Sequence, residues 1–270
     1  MPHFDTAGVS LYFELTGSGP PLVLVHGFAC GLRMWDPQVQ ALARSFRVVT
    51  YDVRGHGSSE APSDPAAYSP SICVDDLRAL LDHLEIGRAA VGGLSMGGNI
   101  ALHFALTHPE RLTALIVADT GSGSDGTSDF AAGVERMAAA LERDGIQAFA
   151  DAALLTPAFG RYAKQGPEPE RLIRSCLMAH PARGLAHTAR GVVTRRPSIY
   201  TLASALRSLS IPTLLIVGEH DGPCVDVHRF MADTIPGAHH MVIPGAGHLS
   251  NLEAPDEFNR AIENFLGGLP

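Results

Sequence analysis

The 270-residue sequence lacks any uninterrupted apolar run long enough to span a membrane, and its start, Met1-Pro2-His3-Phe4-Asp5, has no basic region leading into an apolar one. Neither a secretory leader nor a membrane anchor is expected. Cysteine is scarce, and Cys30, Cys73, Cys176 and Cys224 are scattered without a CxxC pair. That spacing argues against a disulfide framework and a zinc site, and reduced thiols fit a cytoplasmic protein. No basic cluster occurs and the formal net charge is −8, so nucleic acid and anionic membranes are not expected partners. Repeats and low-complexity tracts are also missing. What remains is a soluble globular chain, 46% hydrophobic, with enough apolar content for one large core, with or without an insertion. A homo-oligomer is compatible with the same composition.

Short apolar, β-rich runs at 9–15, 22–26, 46–52, 89–94, 113–119, 213–218 and 239–243 alternate with amphipathic helical runs. Such alternation predicts a mostly parallel sheet covered by helices. One helix follows Ser69-Pro70, where a Ser cap and a Pro at the first position precede Cys73, Leu77, Leu80, Leu81 and Leu84 at helical spacing. Its other face, with Asp75, Asp76 and Arg78, is expected to meet solvent. The rhythm breaks after Gly121, where only helical stretches are found, at 130–143, 146–155 and 168–180. An all-helical insertion between two strands predicts a cap, here 122–206, on a core of 1–121 and 207–270. Gly121-Ser122-Gly123-Ser124-Asp125-Gly126 matches the GxGxxG pattern. The helix-then-strand context of a dinucleotide site does not follow, so a flexible entry to the insertion is the better reading.

Chemistry is concentrated at Gly93-Leu94-Ser95-Met96-Gly97, where an apolar run meets a helix-like one. A Gly-flanked Ser is often only a turn or an N-cap. Here a sharp strand-to-helix turn would place Ser95 in a sparsely populated backbone conformation, with Gly93 and Gly97 removing the collisions. The serine hydroxyl would then stand clear of the sheet as a nucleophile.

A nucleophilic serine needs a base, and the base needs a carboxylate to hold its tautomer. His248 lies in the loop Pro244-Gly245-Ala246-Gly247-His248, and Asp221 in Gly218-Glu219-His220-Asp221-Gly222, each just after an apolar run. A surface histidine and an Asp turn are the plainer readings, but the chain order Ser, Asp, His is the one this nucleophile turn calls for. Asp119 is the alternative acid. Two N–H donors are needed for an oxyanion, and Phe28, after His26-Gly27, and Met96 are the candidates. His26 reads as a loop brace, and the polar residues of Asp52-Val53-Arg54-Gly55-His56-Gly57-Ser58 as ties between loops.

Through His26-Gly27-Phe28, Asp52-Val53-Arg54-Gly55-His56-Gly57, Gly93-Leu94-Ser95-Met96-Gly97-Gly98, Gly218-Glu219-His220-Asp221 and Gly245-Ala246-Gly247-His248, the sequence resembles the α/β-hydrolase superfamily over nearly its whole length. Within it, Met34-Trp35-Asp36 and His248-Leu249-Ser250-Asn251-Leu252-Glu253 are similar to capped esterases and 3-oxoadipate enol-lactonases. The resemblance implies an α/β fold with a mostly parallel sheet flanked by helices and an inserted helical cap. It also implies a serine hydrolase that cleaves a small carboxylic ester or lactone through an acyl-enzyme, with no cofactor and no metal.

Carbon-carbon hydrolases of this fold tend to carry Asn before the serine and Trp after the histidine, where this chain has Leu94 and Leu249. That activity, cofactor-free haloperoxidase or perhydrolase chemistry, and a non-turnover ligand receptor are the alternatives. Cys30 and Trp35, with Phe28 and the insertion residues Met137, Leu154 and Phe159, are candidates for an apolar pocket wall, or else ordinary core. Arg183, Arg190, Arg195 and Arg196 either recognise a substrate carboxylate or form a solvated helix face. His180 and His187 lack metal-ligand spacing.

Overall fold

The computed structural model describes residues 2–123 and 128–269. Aliphatic and β-branched side chains fill both faces of the central strands, as a sheet covered on both sides demands. The strands are β1 (His3–Thr6), β2 (Val9–Thr16), β3 (Pro21–Val25), β4 (Arg47–Tyr51), β5 (Ala89–Leu94), β6 (Leu112–Ala118), β7 (Thr213–Gly218) and β8 (His239–Ile243). They form one sheet in the order β1-β2-β4-β3-β5-β6-β7-β8. Pairing is antiparallel at β1–β2 and β2–β4 and parallel from β4 onward. β5 and β7 are buried throughout, whereas edge strand β8 is largely exposed.

β1 goes beyond the sequence expectation. It pairs with β2 through a two-residue hairpin in which Ala7 and Gly8 both take positive φ, 47° and 77°. The remaining runs fall within a few residues of the expected strands.

The helices are α1 (Asp36–Leu42), α2 (Pro70–His83), α3 (Met96–Thr107), α4 (Ser128–Ala153), α5 (Pro157–Ala163), α6 (Pro167–Met178), α7 (Ala182–Thr188), α8 (Ala203–Arg207), α9 (Gly222–Thr234), α10 (Ser250–Glu253) and α11 (Pro255–Gly267). In α2 the Ser69 hydroxyl accepts from Ile72 N at 3.2 Å, capping the helix as expected. Asp76 corrects the reading of its other face. It is 1% exposed and paired with equally buried Arg54, whose Nε and Nη2 lie 2.7 and 2.6 Å from the two carboxylate oxygens. This bidentate pair ties the loop after β4 to α2.

Among the described residues no strand lies between β6 and β7, and that stretch is helical. α4 is kinked at Gly145 (φ 80°, ψ −178°), the point separating the expected stretches 130–143 and 146–155. Helices α4 to α7 pack chiefly on one another. They reach the sheet's loops at particular contacts: Phe149 meets Phe28 edge-on at 6.4 Å, Gly57 N donates to His180 Nδ1 at 2.9 Å, and Arg161 Nη2 donates to Gly245 O at 2.5 Å. Of the glycine-rich run before α4, Ser124, Asp125 and Gly126 lie outside the described residues.

Candidate active site

Ser95 caps α3 with φ 57° and ψ −114°, a conformation that L residues adopt only when the surroundings impose it. What imposes it is close packing. A Cβ on Gly93 would stand 2.2 Å from the carbonyl of Gly97, and one on Gly97 would stand 2.0 Å from Val25 O. The turn therefore presses α3 against β3, and Ser95 stands at the carboxyl end of the sheet.

There Ser95 Oγ lies 3.1 Å from His248 Nε2, and His248 Nδ1 lies 2.8 Å from Asp221 Oδ2. Serine, imidazole and carboxylate form one continuous hydrogen-bonded row, delivered by the loops after β5, β8 and β7. Burial lowers the affinity of His248 for a proton, but the hydrogen bond and charge of Asp221 outweigh it, and the net shift is upward. The loop bearing His248 is clamped by Glu253, whose carboxylate accepts from Gly247 N at 3.0 Å and Leu249 N at 3.2 Å and pairs with Arg161 Nε at 3.0 Å.

Asp119 is close by and differently used. It is sealed from solvent, accepts from Gly218 N at 2.8 Å and is bonded by the Ser250 hydroxyl. Burial, reinforced by the Asp221 charge, pushes its carboxyl up to about 8. It braces β7 and α10 beneath the row, and His248 turns to Asp221 instead.

Gly27 brings the loop after β3 against the turn, its Cβ position 3.5 Å from Ser95 Cβ. The Phe28 N–H makes no hydrogen bond among the described residues. Met96 begins α3, where an N–H has no intrahelical acceptor. These donors flank the serine.

The neighbouring polar residues are braces. His26 Nε2 accepts from Val53 N at 2.9 Å, which leaves Nδ1 to donate to Gly27 O at 2.8 Å. Asp52 accepts from Leu32 N and Ser58 N, each at 2.8 Å. His26, His56 and His180 form a row of rings 4.9 and 5.2 Å apart. Burial lowers all three, His26 and His180 to about 4, and they stay neutral.

A mainly apolar cavity of about 430 Å³ opens against Phe28 and is walled by Met137, Phe149, Ala153 and Phe159, with Asp144 contributing one charge. Met137 and Phe159 line this cavity. Leu154 is half-buried and does not line it, whereas Phe149 does. Cys30 and Trp35 are corrected to core: each is 1% exposed, and Trp35 packs on Phe258 at 6.1 Å. Both lie on the buried side of the loop after β3.

Sequence reasoning missed Cys224 and His228, one helical turn apart on α9. His228 Nε2 accepts from Thr120 N at 3.0 Å. Asp221, Cys224 and His248 bring potential ligand atoms within 4.8 Å of one another. Burial keeps the Cys224 thiol protonated, and Asp221 occupies His248 Nδ1, so this trio suits packing around the row better than metal ligation. No described helix is long and apolar enough to cross a membrane.

A strained, Gly-flanked Ser turn on a β2-inverted parallel sheet, with His and Asp on loops after later strands, defines a class. The chain belongs to the α/β-hydrolase family, whose fold model matches residues 20–255. It is similar to a thermophilic esterase from Thermogutta terrifontis, at 34% identity and TM-score 0.88 over 99% of this chain and 97% of that one. It is similar also to the enol-lactonase from Burkholderia xenovorans, at 30% identity and TM-score 0.86 over 98% and 100%. A Bacillus subtilis protein carrying the name 2-succinyl-6-hydroxy-2,4-cyclohexadiene-1-carboxylate synthase is 30% identical over 97% of each chain.

Proposed function

We propose that the protein hydrolyses a small carboxylic ester or lactone through an acyl-enzyme formed on Ser95. His248 Nε2 takes the Ser95 proton as Oγ attacks the carbonyl carbon, and returns it to the departing alkoxide. Water then attacks the acyl-enzyme, again giving its proton to His248, and Ser95 leaves as the regenerated hydroxyl. Asp221 holds the imidazole tautomer and stabilises the imidazolium. The N–H groups of Phe28 and Met96 stabilise the tetrahedral oxyanion, where charge develops only as reaction proceeds. Nucleophile, base and electrostatics all come from the chain itself, so the scheme calls on no cofactor.

The helices of 122–206 act in this reading as a cap, and the 430 Å³ cavity they form against Phe28 takes the apolar part of the substrate. The observation that carries the reading is the unbroken hydrogen-bonded row from Ser95 Oγ to Asp221 Oδ2 at a strained turn. Steady-state release of nitrophenol from p-nitrophenyl acetate and butyrate tests it. Sustained turnover is expected, falling by at least about 10³-fold in Ser95→Ala. Undiminished turnover in that variant, or a single-turnover burst from the wild type, would overturn it.

A further inference from the structure

Of the three side chains in the hydrogen-bonded row, His248 is carried on the least restrained segment. Ser95 is locked by the packing of Gly93 and Gly97, and Asp221 opens α9, where Cys224 N donates to its carbonyl at 2.8 Å. His248 instead follows β8, an edge strand paired on one side only. Its loop holds Gly245, at φ 72°, and Gly247, and glycine leaves such a segment conformationally open. A base that takes a proton from Ser95 Oγ needs its Nε2 held to within about 0.5 Å, so other groups have to supply the restraint.

Three side chains do so. Glu219 accepts from Gly245 N at 2.8 Å. Glu253, with its side chain 1% exposed, accepts from Gly247 N and Leu249 N. Arg161 of α5 joins both ends of the loop: Nη2 donates to Gly245 O at 2.5 Å, and Nε lies 3.0 Å from Glu253 Oε2. Among the described residues Glu253 pairs with no other cation. The backbone leaves room for the guanidinium stem, since a Cβ on Gly247 would stand 2.5 Å from Arg161 Cδ. None of the arginines singled out in the sequence does this. Arg183 and Arg195 are exposed, Arg190 pairs with Glu135 and Glu142, and Arg196 is half-buried without an ion pair among the described residues.

We propose that Arg161 is a positioning residue for His248: a side chain of the helical insertion that keeps the imidazole in line with Ser95 without touching substrate. The inference rests on the hydrolase reading above. An exposed ion pair would contribute little, but this carboxylate is sealed and is also the acceptor for the peptides on either side of the base. Without Arg161, Gly245 O loses its donor and Glu253 its only counter-charge, which favours water entering around Gly247 and Leu249. Arg161 does not line the cavity at Phe28, so an ester with a short acyl group should depend on it as much as one with a longer group.

Steady-state kinetics on p-nitrophenyl acetate and butyrate test this. In Arg161→Met kcat is expected to fall about 10–100-fold on both esters alike, the loss that follows a misplacement of up to about 1 Å. KM should stay within about twofold of the wild type. Arg161→Gln, the second variant should methionine not fold, is expected to show the same loss, and Arg161→Lys, which keeps the charge but not the fork that also reaches Gly245 O, a smaller one. Arg174→Met removes an arginine of α6 paired with Asp151 at 2.5 Å and should leave kcat and KM unchanged. A second readout needs no turnover. The downfield proton resonance of His248 Nδ1–H, in its bond to Asp221, should be sharp in the wild type and Arg174→Met and broadened or lost in Arg161→Met.

A kcat within about twofold of the wild type in Arg161→Met would overturn the proposal. So would a rise in KM at constant kcat, or a loss that differs between acetate and butyrate, because either would place Arg161 against substrate. Equal losses in Arg161→Met and Arg174→Met would reduce Arg161 to a fastening of the insertion and overturn it too. A wild type that cleaves neither ester, with the resonance lost only in Arg161→Met, would sink the hydrolase reading and leave the positioning of His248 standing.

Discussion

Replacing Gly97 with alanine tests whether the close approach of α3 to β3 is what aims Ser95 at His248. The added Cβ would stand 2.0 Å from Val25 O and 2.7 Å from His26 O, while ordinary contact begins at 3.4 Å. These are backbone atoms at the carboxyl end of β3, a strand paired on both sides, and cannot swing aside. The turn and β3 must therefore part by more than an ångström. The Ser95–His248 contact, 3.1 Å in the intact protein, and the spacing between the Phe28 and Met96 amides both depend on that approach. A misplacement of about 1 Å costs on the order of 10²-fold in rate, and forcing a methyl into a packed site costs about 1–3 kcal/mol. Gly97→Ala is thus expected to lose about 100-fold in kcat on p-nitrophenyl butyrate and to unfold several degrees lower. Gly87→Ala, where nothing lies within 4 Å of the new Cβ, is the control. Retention of kcat within threefold in Gly97→Ala would refute the packing account of the strained serine.

Asp221→Asn is expected to lower kcat by about 10³–10⁴-fold. Because Asp221 supplies the upward pull on His248, and His248 must be neutral to accept a proton, the acidic limb of the residual pH–rate profile should move to lower pH. An unmoved limb would contradict that assignment. Asp119→Asn removes a carboxyl raised from 3.8 to about 8. Between those values the folded protein holds a proton that the unfolded chain has released, so this group's stabilisation is complete near pH 4 and is lost as pH rises toward 8. Urea unfolding of the variant at pH 5 and 8 should show a flatter slope than the wild type, and an identical slope would exclude Asp119 as its source. Asp76→Ala leaves Arg54 buried and unpaired and should cost about 3–5 kcal/mol in the same assay; a loss under 1 kcal/mol would mean that water reaches Arg54.

Features governed by local geometry were legible in the sequence. Gly93 and Gly97 mark the tight turn because only backbone without Cβ fits there, and Asp221 and His248 follow apolar runs that deliver them to one edge of the sheet. Features governed by distant partners were not legible. Asp76 shares α2 with exposed Asp75, and only Arg54, brought over from the loop after β4, makes it a buried ion. Arg190 and Arg196 are indistinguishable in composition and spacing, and the placement of Glu135 and Glu142 on α4 neutralises one and not the other. Cys30 and Trp35 follow Phe28 closely in sequence, but the chain after β3 turns them inward. The β1–β2 hairpin went unseen because Ala7-Gly8 lacks the Asn-Gly or Asp-Gly signature of its turn class.

Glu253 grips the backbone on both sides of His248, at Gly247 and Leu249, and the same carboxylate is held by Arg161 of α5. With Arg161 also bonded to Gly245 O, α5 is tethered to the segment that carries the imidazole at two points. The setting of His248 is therefore fixed in part from outside its own loop, through Arg161 of a helix far away in sequence.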